Sequence, residues 1–388
     1  MPRRFLTSES VTEGHVDKIC DLVSDSVLDD ILSKDKNARV DCETFITQSH
    51  VLLTGQITTS AQFDVKAIAR QVIKDVGYND ARTGLDWKSC AVWDAIEKQS
   101  PELGEAVSRE SGAGDSGVVF GYATNETPEL MPLPIVLAHR ITRGLDDARK
   151  SRELPFLRPD GKAQVTVEYD SDGRPRINNV VVAAQHDNTV TIERVQQQVR
   201  RAIFEPAIFT PLFDVDTKVY INVKRRFEIG GSMADTGLTG RKTAVDAYGG
   251  YGSHGGGCFS GKDPTKIDRS GSYMARYIAK NVVAAGLSHQ CEVQIAYALG
   301  VAEPVSFQVT SESGPYTDEN ITKVVRQVFD LRPSAIITQL DLLRPIYRKT
   351  ACYGHFGRSE PEFTWEQTDK VEALKTAMLK YDDIRTSI

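Results

Sequence analysis

The chain has 388 residues, too many for one simple core, so about two or three domains are expected. Its 40% hydrophobic and 26% charged residues are the balance of a globular protein in water, and a net charge of −6 excludes a general nucleic-acid binder. Six scattered cysteines (Cys20, Cys42, Cys90, Cys258, Cys291, Cys352) without a Cys-x-x-Cys read as reduced thiols, no secretory signal is visible behind Arg3 and Arg4, and no apolar segment is of bilayer length; the expected localisation is cytoplasmic.

The first helix is expected over 16–32. There Ile19, Val23, Val27 and Ile31 recur four apart, and Leu28 and Leu32 widen the stripe. Val40, Cys42, Thr44 and Ile46 alternate as in a strand, and 51–57 reads as a second one. A helix over 64–76 should stop at Gly77. Residues 100–111, with Pro101, Gly104 and few apolar side chains, have the pattern of a linker. Helices follow at 134–150 and 268–285, the latter closed by Gly286. Strands at 165–169 and 177–182 flank the turn Asp170-Ser171-Asp172-Gly173, and another runs over 291–299.

A weak repeat runs through this order. Arg70-Gln71-Val72-Ile73, Arg201-Ala202-Ile203-Phe204 and Arg326-Gln327-Val328-Phe329 each lie in a helical stretch after a strand, at 51–57, 180–185 and 306–310. A four-residue match in helices is cheap, but the even spacing and the matched context favour three related α+β units with helices on one face of each sheet. The expected division is 1–100, a lid or linker at 101–111, 112–229 and 230–388, with interleaving of segments allowed.

Four stretches carry chemistry. Glu13-Gly14-His15-Val16-Asp17-Lys18 opens the first helix, and ordinary capping explains it when taken alone. Gly112-Ala113-Gly114-Asp115-Ser116-Gly117 suits an anion nest or a structural turn. Residues 230–242 combine glycines and hydroxyls with Asp235, Arg241 and Lys242, after Lys224, Arg225 and Arg226. The richest stretch is 255–269. Its four glycines let backbone N–H groups approach an anion, Lys262, Lys266 and Arg269 add charge, and Asp263 and Asp268 are candidate metal ligands. Gly256 and Gly261-Lys262 have P-loop spacing, but Asp263 stands where a P-loop has Ser or Thr, and no buried strand precedes. The polyphosphate-binding physics survives without that architecture.

Together these residues resemble the signature segments of the S-adenosylmethionine synthetase (methionine adenosyltransferase) family. The matching text is Phe5 to His15, Gly112 to Asp115, Tyr122 to Thr127, Gly237 to Lys242 and Gly255 to Arg269, and the similarity covers nearly the whole chain. The resemblance implies an α+β fold of three similar domains with pseudo-threefold symmetry. It also implies a homodimer or homotetramer with active sites at the subunit interface, acting on ATP and L-methionine with two Mg²⁺ per site and K⁺. In the implied reaction the methionine sulfur attacks ribose C5′ and expels triphosphate, which is then cut to phosphate and diphosphate. A thioether has no proton to lose, so no general base or protein nucleophile is needed; alignment and charge stabilisation are.

Carried over by matching motif, Asp17 and Asp268 would bind Mg²⁺, and Glu43 K⁺. His15 would stand at the breaking C5′–O bond as donor or cation. Lys162, Arg241, Lys242, Lys262 and Lys266 would hold the polyphosphate, with Lys266 also near methionine. Asp160, Arg226, Phe227, Asp235 and Cys258 would line the nucleotide and methionine sites. Gln99 would contact methionine at the start of a mobile lid, which turns 100–111 from linker into gate. Three residues depart from the family pattern: Gln56 stands where a Glu pairs with the methionine ammonium, and Val16 and Ser232 stand where prolines are usual. Two other readings remain: an NTPase or kinase, which would release ADP, and a non-catalytic binding subunit.

Overall fold

The computed structural model describes residues 3–97, 112–204, 212–223 and 226–386. In chain order the elements are β1 (Arg4–Val11), α1 (Val16–Lys34), β2 (Arg39–Thr47), β3 (His50–Thr58), α2 (Val65–Val76), the short pair β4 (Asn79–Asp80) and β5 (Leu85–Asp86), and β6 (Ala91–Glu97). Then come β7 (Gly117–Thr124), α3 (Leu133–Lys150), β8 (Leu157–Tyr169), β9 (Pro175–His186), α4 (Ile192–Phe204) and β10 (Lys218–Ile221). The last part holds β11 (Gly237–Leu238), α5 (Thr243–Asp246), α6 (Ile267–Ala284), β12 (Gln290–Tyr297), β13 (Ser306–Glu312), α7 (Asp318–Val328), α8 (Pro333–Gln339) and α9 (Val371–Thr386).

The expected elements are there, and local chemistry explains their ends. Asp64 caps α2 by accepting N–H bonds from Lys66 and Ala67, and Gly77 closes it at φ +104°. Asp170 accepts from the N–H groups of Asp172 and Arg174, which turns β8 into β9.

The repeat is a long helix, an antiparallel hairpin and a second helix: α1-β2-β3-α2, α3-β8-β9-α4 and α6-β12-β13-α7. The strand ahead of each long helix does not join its own hairpin. β1 pairs with β8, β7 with β12, and β11 with β2, all antiparallel. Each unit therefore gives a strand to the next and the exchange closes on itself, so the three sheets interleave distant segments. β6 and β10 add parallel outer strands to two of them.

The apolar interior forms two clusters. One lies between β8–β9 and helices α3 and α4; the other joins the α1–α2 and α6–α7 units. α1 departs from the amphipathic expectation, because every residue from Val16 to Leu28 is buried. Its polar face meets other chain segments instead of water.

One buried histidine makes the fold acid-sensitive. His139 on α3 lies 2.8 Å from the Ser10 hydroxyl, and burial, with Arg358, Lys18 and Arg143 nearby, pushes its pKa down to about 3. The unfolded chain, with a histidine pKa near 6.5, then binds more protons than the folded one. The stability is complete above about pH 6.5 and falls as pH drops toward the folded value, by up to about 1.4 kcal/mol per pH unit. A His139→Gln variant is expected to show a shallower fall of the unfolding midpoint between pH 6.5 and 4.5. An unchanged slope would remove His139 as the cause.

Candidate active site

The turn before α1 is clamped from two sides. Tyr78 donates its hydroxyl to the Gly14 carbonyl at 2.7 Å, and Thr12 donates to the Pro159 carbonyl at 2.8 Å. A Cβ on Gly14 would meet Pro159 at 2.3 Å, so only glycine fits. Glu13 is occupied by Arg149 and Lys150 and belongs to the clamp. His15 is thereby presented as the N-cap of α1, its Nδ1 accepting the Asp17 N–H at 3.2 Å. Burial, with the Lys242 charge beside it, pushes the imidazole down to about 4. The ring is neutral at pH 7. With Nδ1 accepting, the network assigns the proton to Nε2, which makes His15 a hydrogen-bond donor and not a cation.

Asp17, in the first turn, takes Lys242 Nζ at 2.5 Å and the Leu238 N–H at 3.1 Å, with Arg241 at 3.8 Å. Burial works against its charge, but Lys242 and the Leu238 N–H outweigh it and hold the carboxyl below its ordinary range. Lys162 on β8 pairs with Glu9 of the exchanged strand β1, and its charge acts on His15. Asp160 accepts the Gly231 N–H at 2.7 Å, and burial raises its pKa to about 6. His15, Asp17, Lys162, Arg241 and Lys242 thus form one group, where α1, β8 and the 237–242 loop meet.

The second group lies along the 255–268 loop. Lys262 reaches Asp268, in the first turn of α6, at 2.5 Å, and its backbone pairs antiparallel with that of Asp41 on β2. Gly257 leaves no room for a Cβ, which would lie 2.2 Å from the Asp268 carboxyl. Burial pushes the Cys258 thiol up to about 11, so it is an uncharged wall. The two groups touch where a Cβ on Gly240 would lie 2.3 Å from Cys258 Cβ.

Other expected residues stand differently. The Asp263 carboxylate is fully engaged with the Val40 N–H, Thr265 and Lys266 Nζ. It anchors Lys266 and β2, which corrects its reading as a metal ligand. In the 112–117 stretch Ala113 and Ser116 bond to residues 299–301 and a Cβ on Gly112 would strike the Gly300 carbonyl, while Gly117 lies beside Ile267 and Asp268. Asp235 is exposed and accepts from the Thr236 N–H. Arg226 pairs with Glu228 and bonds the Val190 carbonyl, and the Phe227 carbonyl accepts the His186 N–H. Glu43 and Gln56 lie exposed on β2 and β3, and Gln99 lies outside the described residues. Strand register sets Gln56 between Asp41 and Glu97.

The sequence reading missed the carboxylates that hold the cations: Glu9 for Lys162, Asp263 for Lys266, and Asp21 and Asp25 behind the loops. The signal for the last two was the four-residue spacing from Asp17. Among the described residues no three His, Cys, Asp or Glu side chains gather as a metal cage. Asp17 and Asp268 each offer a single carboxylate.

Three family models cover the chain: the N-terminal domain of S-adenosylmethionine synthetase over 3–101, the central domain over 110–227 and the C-terminal domain over 229–367. The chain is 53% identical over 382 residues to an S-adenosylmethionine synthase of Syntrophobacter fumaroxidans, covering 97% of this chain and 98% of that one. It is 54% identical over 387 residues to an S-adenosylmethionine synthase of Sorangium cellulosum, covering 98% and 91%.

Proposed function

The chain belongs to the S-adenosylmethionine synthetase family and is a methionine adenosyltransferase, and we propose that it works by direct displacement at ribose C5′ of ATP. The methionine sulfur lone pair forms the S–C5′ bond. The C5′–O bond breaks, and its electron pair leaves on the triphosphate, which is then hydrolysed to phosphate and diphosphate. The observation that carries this reading is His15, its Nδ1 spent on the Asp17 N–H, grouped with the cations Lys242, Arg241 and Lys162. An N–H donor set among cations suits an oxygen that gains negative charge as it departs. Lys262 and Lys266 add charge along the polyphosphate, while Asp160, Arg226, Phe227, Asp235 and Cys258 line the nucleotide and methionine sites. Gln99 and the segment after it would cover methionine.

Asp17 and Asp268 fit Mg²⁺, which commonly keeps one or two protein carboxylates and fills its remaining positions with water and phosphate oxygens. When bound, the ions supply positive charge to the triphosphate. Asp17 and Asp268 now hold Lys242 and Lys262. With Asp17 and Asp268 holding the ions, Lys242 and Lys262 would be free to pair with phosphate oxygens. Glu43 would hold K⁺.

Assembly as a homodimer or homotetramer completes the reading. Its support is the apolar surface left on the sheets, including Trp93 at 62% exposure, Val181 and Val118. A cytoplasmic location and the absence of nucleic-acid or membrane partners belong to the same proposal; no described helix is long and apolar enough to cross a bilayer. Incubation with ATP, methionine, Mg²⁺ and K⁺ should give S-adenosylmethionine, phosphate and diphosphate. ADP as the product would favour a kinase instead.

Gln56 is the proposed specificity determinant. Its amide accepts a hydrogen bond from the methionine ammonium without supplying charge, so Gln56→Glu is expected to lower the methionine KM. An unchanged KM would remove Gln56 as a specificity determinant.

A further inference from the structure

We propose that Asp21 and Asp25 are positioning residues that set the two basic loops of the site from a single helix; this rests on the polyphosphate reading of those loops. Asp17, Asp21, Asp25 and Asp29 recur every four residues and so run along one side of α1. Each accepts backbone N–H bonds from the C-terminal third of the chain. Asp17 takes Leu238 at 3.1 Å, Asp21 takes Gly240 at 2.8 Å, Asp25 takes Gly261 at 2.8 Å, and Asp29 takes Tyr347 and Arg348 at 2.9 and 2.8 Å.

The two middle rungs share one construction. Gly240 and Gly261 both sit at φ +81°, and each is followed by site cations: Arg241 and Lys242 in one case, Lys262 in the other. Neither glycine has room for a Cβ, which would meet Cys258 Cβ at 2.3 Å or the Cys42 carbonyl oxygen at 1.9 Å. Each carboxylate is itself fixed. Asp21 holds Lys18 at 2.8 Å, and Asp25 takes two 2.8 Å bonds from Arg269, with all four side chains fully buried. Lys18 also bonds Asp246, just beyond the Arg241–Lys242 pair. Successive rungs of a rigid helix lie about 6 Å apart. The offset between the two basic loops is therefore set by α1, with β2 holding the same loops through the Thr239 N–H to Thr44 carbonyl and Cys42 N–H to Gly261 carbonyl bonds, and not by the loops themselves.

Asp29 is the internal control. It sits on the same helix and makes the same kind of bond, but its loop carries none of the proposed site cations. Asp21→Asn and Asp25→Asn keep an acceptor oxygen and lose the charge that fixes it. In both, kcat for S-adenosylmethionine formation and the rate of hydrolysis of added inorganic triphosphate are expected to fall about 10- to 100-fold, the scale of small misplacement of reacting groups, with methionine KM changed less than about threefold. Asp29→Asn, which breaks no ion pair, should leave both rates within about threefold, all rates being measured at a temperature where every variant is fully folded. Rates within about threefold of the unmodified protein in folded Asp21→Asn and Asp25→Asn, or an equal loss of rate in Asp29→Asn, would overturn the proposal. Hydrogen exchange on the unmodified protein decides the matter even if the variants do not fold. The Gly240 and Gly261 amides should exchange at least about 100-fold more slowly than exposed loop amides, and rapid exchange at both overturns the anchoring. If the unmodified protein neither makes S-adenosylmethionine nor cleaves triphosphate, the reading of the loops fails, while slow exchange would still register the anchors.

Discussion

Replacing His15 with asparagine is expected to lower kcat for S-adenosylmethionine formation by about 10²- to 10³-fold, the usual effect of removing one donor from a developing oxyanion. The substitution separates two roles of the residue. As N-cap, His15 accepts the Asp17 N–H through Nδ1. Asparagine is among the best N-caps and keeps that bond, so the unfolding midpoint should hold. As donor, His15 presents Nε2–H on a ring that burial keeps neutral, and asparagine is too short to reach the same point. Alanine would lose both, adding about 1 kcal/mol of lost capping to the catalytic defect. Saturating ATP and methionine isolate kcat. A variant that keeps its rate within about threefold would show that His15 is only a cap.

The largest stability effect is expected away from the site, at Arg276. This fully buried side chain of α6 spends all five N–H donors. They go to the carbonyls of Tyr122 at the end of β7, Glu129 and Leu130 ahead of α3, and both oxygens of Glu366, at 2.7 to 3.1 Å. One guanidinium thus ties the exchanged strand, the approach to α3 and the C-terminal segment to α6. Arg276→Met would leave three carbonyls without this donor and Glu366 with Lys280 and the Gly357 N–H. Breaking a buried pair in this way costs about 3–5 kcal/mol. Lys34→Ala, which removes a half-exposed i,i+4 pair with Asp30, should cost about 0.5 kcal/mol or less. Urea midpoints of the two variants make the comparison. If Arg276→Met is no worse than Lys34→Ala, the central role of that guanidinium falls.

Residue type and spacing pointed to the cationic glycine-rich loops, the resemblance to the remaining candidate residues, and the misreadings share one cause. Asp263 had the right chemistry for a metal ligand, but the Val40 N–H, Thr265 and Lys266 use its lone pairs. Gly112, in a stretch read as an anion nest or a turn, serves close contact with Gly300. α1 was read by its apolar stripe alone, without Asp21 and Asp25 on its other face. That face instead meets the loops carrying Arg241, Lys242 and Lys262. In each case a polar group's availability depended on neighbours far away in the chain.

By itself the sequence determined the three repeats, the helices and hairpins within them, and the cationic glycine-rich loops. These follow from periodicity, caps and turn residues, which act over a few positions. The tertiary structure alone decided which hairpin each leading strand joins, because a strand edge satisfies its N–H and C=O groups equally well on its own sheet or the next. It also decided which carboxylate holds each lysine. Lys242 and Asp17 are 225 residues apart, and nothing local in either segment encodes their meeting. Exchange of β1, β7 and β11 brings such segments together, so the site exists only once the three units have closed on one another.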